Sequence, residues 1–346
     1  MNNNLYYDGT KLLSMRDING NKPEIFMCTA NNTAGKTTYF SRLLVNRFLD
    51  GNGKFMLIYR FNYELDECAD KFYRDISDLF FNGSVMQQKK RASGSFVELY
   101  IDGNSCGYAV SLNNVDNVKK FSHFFSDVKR MFMDEFQSET DNYCNNEINK
   151  FRALHKAVAR GHGEMVRYVP VYMCANPITI LNPYYVKMGI SARINNTTKF
   201  LKGDGFVLEQ GFNQAASNAQ KQSAFNRAFG NDQYSKFTSD AVYLNDNYAF
   251  VDEPQGFPNY IATLRYDGQD FAVKEYQNLG IIYCDTRVDN TFPVKITVTT
   301  EDHQINYVML RNNDMFLDKM RYFFRRGCFR FKDIRCKEAI LNALSY

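Results

Sequence analysis

An α/β domain on a largely parallel sheet, then a spacer, then an α+β domain is the fold this 346-residue sequence predicts. Three observations carry that expectation. Up to about residue 204, short β-branched or aromatic runs alternate with longer amphipathic stretches, the rhythm of strands joined by crossover helices. From about Gly203 to Gly256 the composition shifts to Asn, Gln, Ser, Ala and Gly, which reads as a linker or small helical spacer over 205–256. Residues 257–346 then open with strands joined by tight turns and close with helices.

Taken in order, strands are expected at Glu24–Thr29, Lys54–Tyr59, Met131–Met133 and Val169–Ala175. Helical patterns lie between them at Gly35–Leu49, Tyr63–Phe80 and Asn146–Ala159, the last with Ile148, Phe151, Leu154 and Val158 on one face. Phe96–Asp102 and Ser105–Leu112 alternate around Gly103-Asn104 and read as a β-hairpin docked on the sheet. In the last domain Tyr260–Tyr266, Phe271–Tyr276, Gly280–Asp285 and Val294–Thr299 read as consecutive antiparallel strands. A helix over Asp314–Phe324, a short strand over Cys328–Phe331 and a helix over Ile334–Leu344 follow. No internal repeat points to a solenoid.

Composition narrows the function classes. With 45% hydrophobic and 23% charged residues the chain can bury a sizeable core. A formal charge of only +4 means that a nucleic-acid partner must be met by local patches, not a global field. The longest apolar runs, Phe55 to Ile58 and Val169 to Cys174, fall far short of the ~20 residues of a bilayer span. The start, MNNNLYYDGT, has neither a basic beginning nor an apolar stretch, so the expectation is a chain kept in the cytoplasm. Its eight cysteines show no CxxC pair or zinc spacing and read as reduced structural thiols. Four histidines make a His-centred hydrolase a poor fit.

The sharpest chemical signal is Ala30-Asn31-Asn32-Thr33-Ala34-Gly35-Lys36-Thr37, followed by Thr38, after a predicted strand and at the start of a predicted helix. That context suits a phosphate-binding loop, whose backbone N–H groups face phosphate oxygens. Lys36 would reach the β- and γ-phosphates of ATP, and the Thr37 hydroxyl would ligate Mg²⁺. About a hundred residues on, the apolar Met131-Phe132-Met133 runs into Asp134 and Glu135. The first acid suits the Mg²⁺ shell and the second suits polarisation of an attacking water. Neighbouring acids at a strand end are often merely solvated; the loop upstream is what favours the catalytic reading. Asn176, just after another strand, either senses the γ-phosphate or caps a turn. Arg160, in a glycine-containing loop with His162 and Gly163, suits a finger inserted into a neighbouring subunit's site, or else satisfies its own helix C-terminus; Arg167 is the alternative finger. Tyr7 either stacks near adenine or belongs to the core.

Basic patches offer a nucleic-acid contact. Lys89-Lys90-Arg91 in a polar loop beside the hairpin, with Lys119-Lys120 after it, would form a positive rim suited to a phosphate backbone. From Lys319 to Lys337 the basic residues Lys319, Arg321, Arg325, Arg326, Arg330, Lys332, Arg335 and Lys337 far outnumber the acids and interleave with aromatics, which suits a nucleic-acid or acidic-protein partner.

In order along nearly the whole chain, further motifs carry a family resemblance. They are Leu5-Tyr6-Tyr7 with Lys11-Leu12-Leu13-Ser14, Tyr100-Ile101-Asp102-Gly103 with Gly107-Tyr108-Ala109, and Phe132-Met133-Asp134-Glu135-Phe136. Asn176 with Asn182-Pro183-Tyr184, Gly280-Ile281-Ile282-Tyr283-Cys284-Asp285, and Arg326-Gly327-Cys328-Phe329-Arg330-Phe331 continue the series. The chain resembles the DNA-encapsidation proteins, or packaging ATPases, of the phi29-like podoviruses. The resemblance implies a RecA-like ATPase domain of the additional-strand class over 1–204, a linker domain over 205–256 and an RNase H-like domain without nuclease activity over 257–346. It implies a homomeric ring, commonly a pentamer, docked on the portal of an empty prohead in the infected host's cytoplasm and absent from the mature virion. Double-stranded DNA is the implied partner, with a structural RNA as a further one. Lys36 and Thr37 match the phosphate loop, Asp134 and Glu135 the metal and base pair, Asn176 the coupling position and Arg160 the trans finger. Ala30 replaces a glycine, and Asn32 stands where packaging motors often have an arginine. Asp267 and Asp285 could be remnants of a two-metal nuclease site, although Asp267 reads as turn chemistry. Two other readings stand beside the motor: a terminase-like protein with an active metal-dependent nuclease, and a non-hydrolysing nucleic-acid scaffold.

Overall fold

The computed structural model describes residues 6–140, 142–161, 165–180, 182–191, 193–194, 198–229, 251–324 and 326–344. Leu5, His162, Gly163, Arg325 and positions 230–250 of the expected spacer lie outside them. The chain divides into two units, 1–178 with 196–242, and 179–195 with 243–346.

The first unit begins with helix α1 (Thr10–Ser14), strand β1 (Ile25–Thr29), helix α2 (Lys36–Leu49) and strand β2 (Lys54–Tyr59). The helix expected from Tyr63 to Phe80 is split. A 3₁₀ turn over Asn62–Leu65 gives way to α3 (Cys68–Phe80), because Glu67 takes a left-handed backbone at φ 56° that cannot continue a helix. Lys89, Lys90 and Arg91 do not lie in a loop. They end strand β3 (Met86–Arg91), which pairs antiparallel with β4 (Phe96–Ile101), and β4 pairs with β5 (Asn104–Ser111). The β4–β5 turn is Asp102-Gly103, both left-handed at φ 48° and 81°, one residue earlier than Gly103-Asn104.

Helix α4 (Val115–Val118) leads to β6 (Val128–Asp134), longer than expected, then α5 (Glu147–Ala159) and β7 (Val171–Ala175). The sheet does not stop at residue 204: β8 (Phe200–Gly203) and β9 (Phe206–Gln210) form a hairpin, and β9 pairs parallel with β1. Helices α7 (Gln214–Gln222) and α8 (Ala224–Phe229) follow, so the expected spacer begins inside this unit.

The nine strands run β3-β4-β5-β2-β6-β7-β1-β9-β8, with β5 to β9 in that order parallel and antiparallel strands at both sides. The central strands are apolar along their length because helices cover both faces. Phe40, Leu44 and Val45 of α2 and Phe72, Tyr73 and Ile76 of α3 pack with Phe26, Phe55 and Phe132 of the sheet. Gly107 admits close strand approach, since a Cβ there would meet the Phe55 carbonyl oxygen at 2.4 Å. Thr29 pairs with Ala175 and Asp134 with Cys174, which aligns the carboxyl ends of β1, β6 and β7.

The second unit holds α6 (Pro183–Lys187) and a six-stranded sheet. Strands β10 (Asn259–Tyr266), β11 (Gln269–Tyr276) and β12 (Ile281–Asp285) form the expected antiparallel meander. The next strand departs from expectation: β13 (Lys295–Thr297) crosses back to pair parallel with β10, β14 (Val308–Met309) pairs parallel with β13, and β15 (Phe329–Phe331) pairs parallel with β12. Helices α9 (Asp314–Phe324) and α10 (Ile334–Leu344) pack Phe316, Leu317, Met320, Ala339 and Ile340 with Leu264, Phe271, Val273 and Ile282.

Candidate active site

The connection Ala30–Gly35 follows β1 and opens α2, with Thr33 at φ 58° and Gly35 at φ 89°. Gly35 is left-handed immediately before the helix, a conformation strained for any L side chain. Ala30, at the usual glycine position, is fully buried and does not have positive φ, so its Cβ meets no backbone penalty. The loop is anchored by Asn213 and Tyr7 and braced internally by Asn32. Asn31 is buried and exchanges two hydrogen bonds with Asn213: the Asn213 N–H donates to Oδ1 at 2.8 Å, and Nδ2 donates to the Asn213 carbonyl at 3.0 Å. Its side chain therefore fastens the loop to the start of α7, while its backbone remains part of the loop. The Asn32 side chain accepts from the Thr33 N–H at 2.8 Å, and the Tyr7 N–H donates to the Ala34 carbonyl at 2.7 Å.

Lys36 points into this loop. Its Nζ donates to the carbonyls of Ala30 at 2.8 Å and Asn31 at 3.0 Å, and to Asn176 Oδ1 at 3.1 Å. Burial lowers its pKa, and Asp134 and Glu135 only partly offset that. Thr37 is exposed and Thr38 half-buried at the first turn of α2.

Asp134 ends β6, level with Cys174. One of its oxygens, Oδ1, accepts from the Glu135 N–H and from Cys174 Sγ, both at 2.9 Å. Glu135 stands at φ 51°, a conformation that costs a non-glycine residue about 1–3 kcal/mol unless its surroundings hold it. Its pKa is raised by burial of the carboxyl, then by the like charges of Asp134 and Glu139, against the opposing pull of Arg60. Thr37, Asp134 and Glu135 share the lining of a cavity of about 300 Å³. Glu135 and Asn176 share that of a neighbouring one of about 310 Å³.

What holds Glu135 is Arg60, a residue the sequence reading missed. Its Nη1 donates to the Glu135 carbonyl at 2.8 Å and its Nη2 to the Phe136 carbonyl at 2.5 Å. Its Nε reaches both carboxylate oxygens of Glu147, at 3.0 and 3.1 Å, and Glu147 also accepts from the Cys144 N–H. The available signal was position: Arg60 directly follows β2, whose carboxyl end lies beside that of β6.

Arg160 and Arg167 separate cleanly. Arg160 follows α5, is exposed and donates to Ser122 Oγ at 2.7 Å. Thirteen helical residues place it about 20 Å along α5 from Glu147 and the acid loop. Arg167 is buried and donates to the carbonyls of Val128, Phe125 and Val158, so it is structural and not the alternative finger. Tyr7 is half-buried and packs against the core, its hydroxyl on Glu209 at 2.8 Å and its ring edge-on to Tyr39 at 5.5 Å.

The expected basic rim is largely neutralised. Lys90 pairs with Asp66 at 2.9 Å, Arg91 with Glu98 at 2.6 Å and Lys119 with Asp116 at 2.8 Å, while Lys120 donates to Asn117; Lys89 is exposed on β3. In the second unit Lys319 pairs with Glu275 and Arg335 with Asp267, and the buried Lys337 donates to the Ser191 carbonyl, so the fold absorbs much of that charge. Asp267 is left-handed in its turn at φ 49°. Asp285 is fully buried and paired with Lys274 at 2.8 Å, which Glu253 also contacts at 3.1 Å. Among the described residues no three His, Cys, Asp or Glu side chains gather into a metal-binding cluster, and no helix is long and apolar enough to cross a membrane.

A glycine-lysine-threonine loop at the carboxyl edge of a parallel sheet, beside a strand ending in paired acids, has the form found in phosphate-loop nucleotide-binding proteins. The chain belongs to the podovirus DNA encapsidation protein (Gp16) family, whose model matches residues 1–344; it is a phage DNA-packaging protein. It is 25% identical to the DNA packaging proteins of Bacillus phages PZA and phi29 over 335 residues, which covers 96% of this chain and 94% of each relative. Among solved structures, the Phi-28 gp11 DNA packaging motor matches with a TM-score of 0.62 at 15% identity, covering 99% of this chain and 98% of that one. The bacteriophage Phi-29 viral genome packaging motor assembly matches at 0.55 and 21% identity, covering 95% of each. At these identities the structural matches establish a shared fold, a mixed α/β architecture with a large, mainly parallel sheet.

Proposed function

We propose that this protein is an ATP-driven motor that moves double-stranded viral DNA into a preformed prohead. One observation carries the reading: Lys36, Asn176 and the Asp134–Glu135 pair meet at one edge of the sheet, with Lys36 already bonded to Asn176. Lys36 would exchange its two loop carbonyls for phosphate oxygens of ATP. Glu135, fixed by Arg60, would accept the proton of the attacking water, and Asn176 would report the γ-phosphate to the chain that follows β7.

The donor set also fits Mg²⁺. Thr37 presents an exposed hydroxyl, and Asp134 commits Oδ1 to its neighbours while Oδ2 has no hydrogen-bond partner among the described residues, both on the same cavity. A bound Mg²⁺ would offset the phosphate charge as hydrolysis proceeds.

The strand order supports a RecA-like domain of the additional-strand class, since β7 is inserted between β1, which carries the loop, and β6, which carries the acids. In the second unit the antiparallel trio β12-β11-β10 continued by parallel β13 and β14 supports an RNase H-like domain. The Asp285–Lys274 pair favours the motor over a nuclease-active terminase, because the buried acid already has a cation. Arg160, exposed and remote from its own acid loop, suits a finger acting in trans within a homomeric ring, by analogy a pentamer, docked on the prohead portal with or without a structural RNA. Its setting would be the infected cell's cytoplasm, not the finished virion.

ATP turnover with and without duplex DNA tests the proposal, comparing the wild-type chain with Glu135→Gln, Arg160→Ala and a mixture of the two. DNA-stimulated turnover lost in each variant and partly recovered in the mixture supports a ring with a trans finger. A folded, oligomeric wild-type chain with no turnover overturns the motor reading.

A further inference from the structure

At the opposite, amino-terminal edge of the first sheet lies a cleft of about 950 Å³ that none of the expected nucleotide-site residues lines. Four cations from three segments line it: Lys22 before β1, Arg47 in the last turn of α2, and Lys129 and Arg130 in β6. Its one lining acid, Asp127, is paired with Lys54 at 2.9 Å and leaves those charges uncompensated. Arg130 is half-buried, and its pKa is lowered first by desolvation and further by the like charge of Arg47 beside it. Two like guanidiniums side by side raise each other's cost until an anion arrives. Lys22, Arg47 and Lys129 are exposed; Lys22 lies 3.9 Å from the centroid of the Tyr168 ring.

We propose that this cleft grips the phosphodiester backbone of duplex nucleic acid, an inference that rests on the motor reading and assigns its DNA contact to residues other than Lys89–Arg91 and Lys119–Lys120. The volume exceeds what one phosphate needs, and the cations come from several directions instead of converging in one buried nest, so they suit successive phosphates. The lining presents Lys and Arg charges and aromatic walls and no carboxylate free of a cation, which suits backbone contact without base readout.

The test is fluorescence anisotropy of a labelled 30-base-pair duplex across a KCl series, with thermal melting and DNA-free ATP turnover measured on every variant. Each phosphate contact contributes about 0.9 to the slope of log K against log salt. Lys22→Ala and Lys129→Ala should therefore each flatten the slope by about 0.9, and the double reversal Arg47→Glu/Lys129→Glu should weaken binding at least about tenfold at 0.1 M salt. Melting and DNA-free turnover should match the wild type. Variants that bind duplex with wild-type affinity and slope overturn the assignment, as does displacement of duplex by inorganic phosphate at matched ionic strength, which would mark a small-anion site. A wild-type chain that turns over ATP but binds no duplex overturns the motor reading itself, and this cleft's role with it.

Discussion

Removing Arg60 should separate what folds the acid loop from what the proposed ATP turnover requires of it. The Arg60 side chain is 10% exposed and its partner Glu147 2%, so the pair is governed by the cost of breaking a buried ion pair, about 3–5 kcal/mol, and not by the small value of a surface bridge. For a unit of about 200 residues, at about 2–4 °C per kcal/mol, Arg60→Ala should lower Tm by roughly 6–20 °C. It also deletes the donors to the Glu135 and Phe136 carbonyls, freeing Glu135 to leave its left-handed conformation. Misplacing a catalytic group by about 1 Å costs on the order of a hundredfold in rate. The decisive comparison is Arg60→Met/Glu147→Leu, which removes both charges together. Replacing a buried pair with apolar residues of similar size is often near neutral, so this variant should recover most of the melting temperature and none of the turnover. Calorimetry with a coupled ATPase assay reads both. Wild-type turnover in the double variant, or an Arg60→Ala protein melting within about 2 °C of the wild type, would refute the clamp.

Other perturbations read other parts of the molecule. Arg167→Ala should cost about 3 kcal/mol or more by orphaning the Val128, Phe125 and Val158 carbonyls, whereas Arg160→Ala should leave chemical denaturation unchanged while abolishing turnover. Lys274→Met strands the buried Asp285 carboxylate and should destabilise the second unit by about 3–5 kcal/mol, read by urea unfolding, without creating metal-dependent DNA cleavage. His155 is half-buried, which opposes its charge, but the Glu24 carboxylate and the Val169 carbonyl outweigh that desolvation and raise its pKa. Its charged form thus stabilises the fold below the unfolded pKa, a contribution lost as pH rises through the folded one. Melting curves of His155→Gln should accordingly show a larger deficit at pH 5.5 than at pH 8.5.

The central strands were legible because they are apolar runs bounded by turns, and the loop because Gly35-Lys36-Thr37 sits between a strand and a helix. Strand β3 was not, because Met86-Gln87-Gln88-Lys89-Lys90-Arg91 is an edge strand; the charges that keep such an edge from pairing with other chains also disguise it as a loop. The hairpin β8–β9 was hidden by the polar composition around it. The pairing of β13 with β10 is a non-local choice to which local alternation is blind. Arg60 carries no motif at all, since its role depends on two carbonyls about seventy-five residues away in the chain. The anchoring of Asn31 was hidden for the converse reason: it lies inside a recognisable motif, and nothing local shows that its side chain pairs with Asn213.

The path of the chain after β7 bears on how the protein can be divided. Two residues beyond Asn176 the polypeptide leaves the first unit, contributes 179–195 to the second, and is back in the first by β8. Within the second unit that excursion buries Tyr184 and Tyr185 and gives the Ser191 carbonyl to Lys337. A fragment ending at residue 204 would therefore carry a borrowed piece of the other fold with its tyrosines uncovered, and a fragment starting at 257 would leave Lys337 without its acceptor. Excision respecting the covalent weave would have to replace 179–195 by a short bridge in one fragment and graft it onto the other.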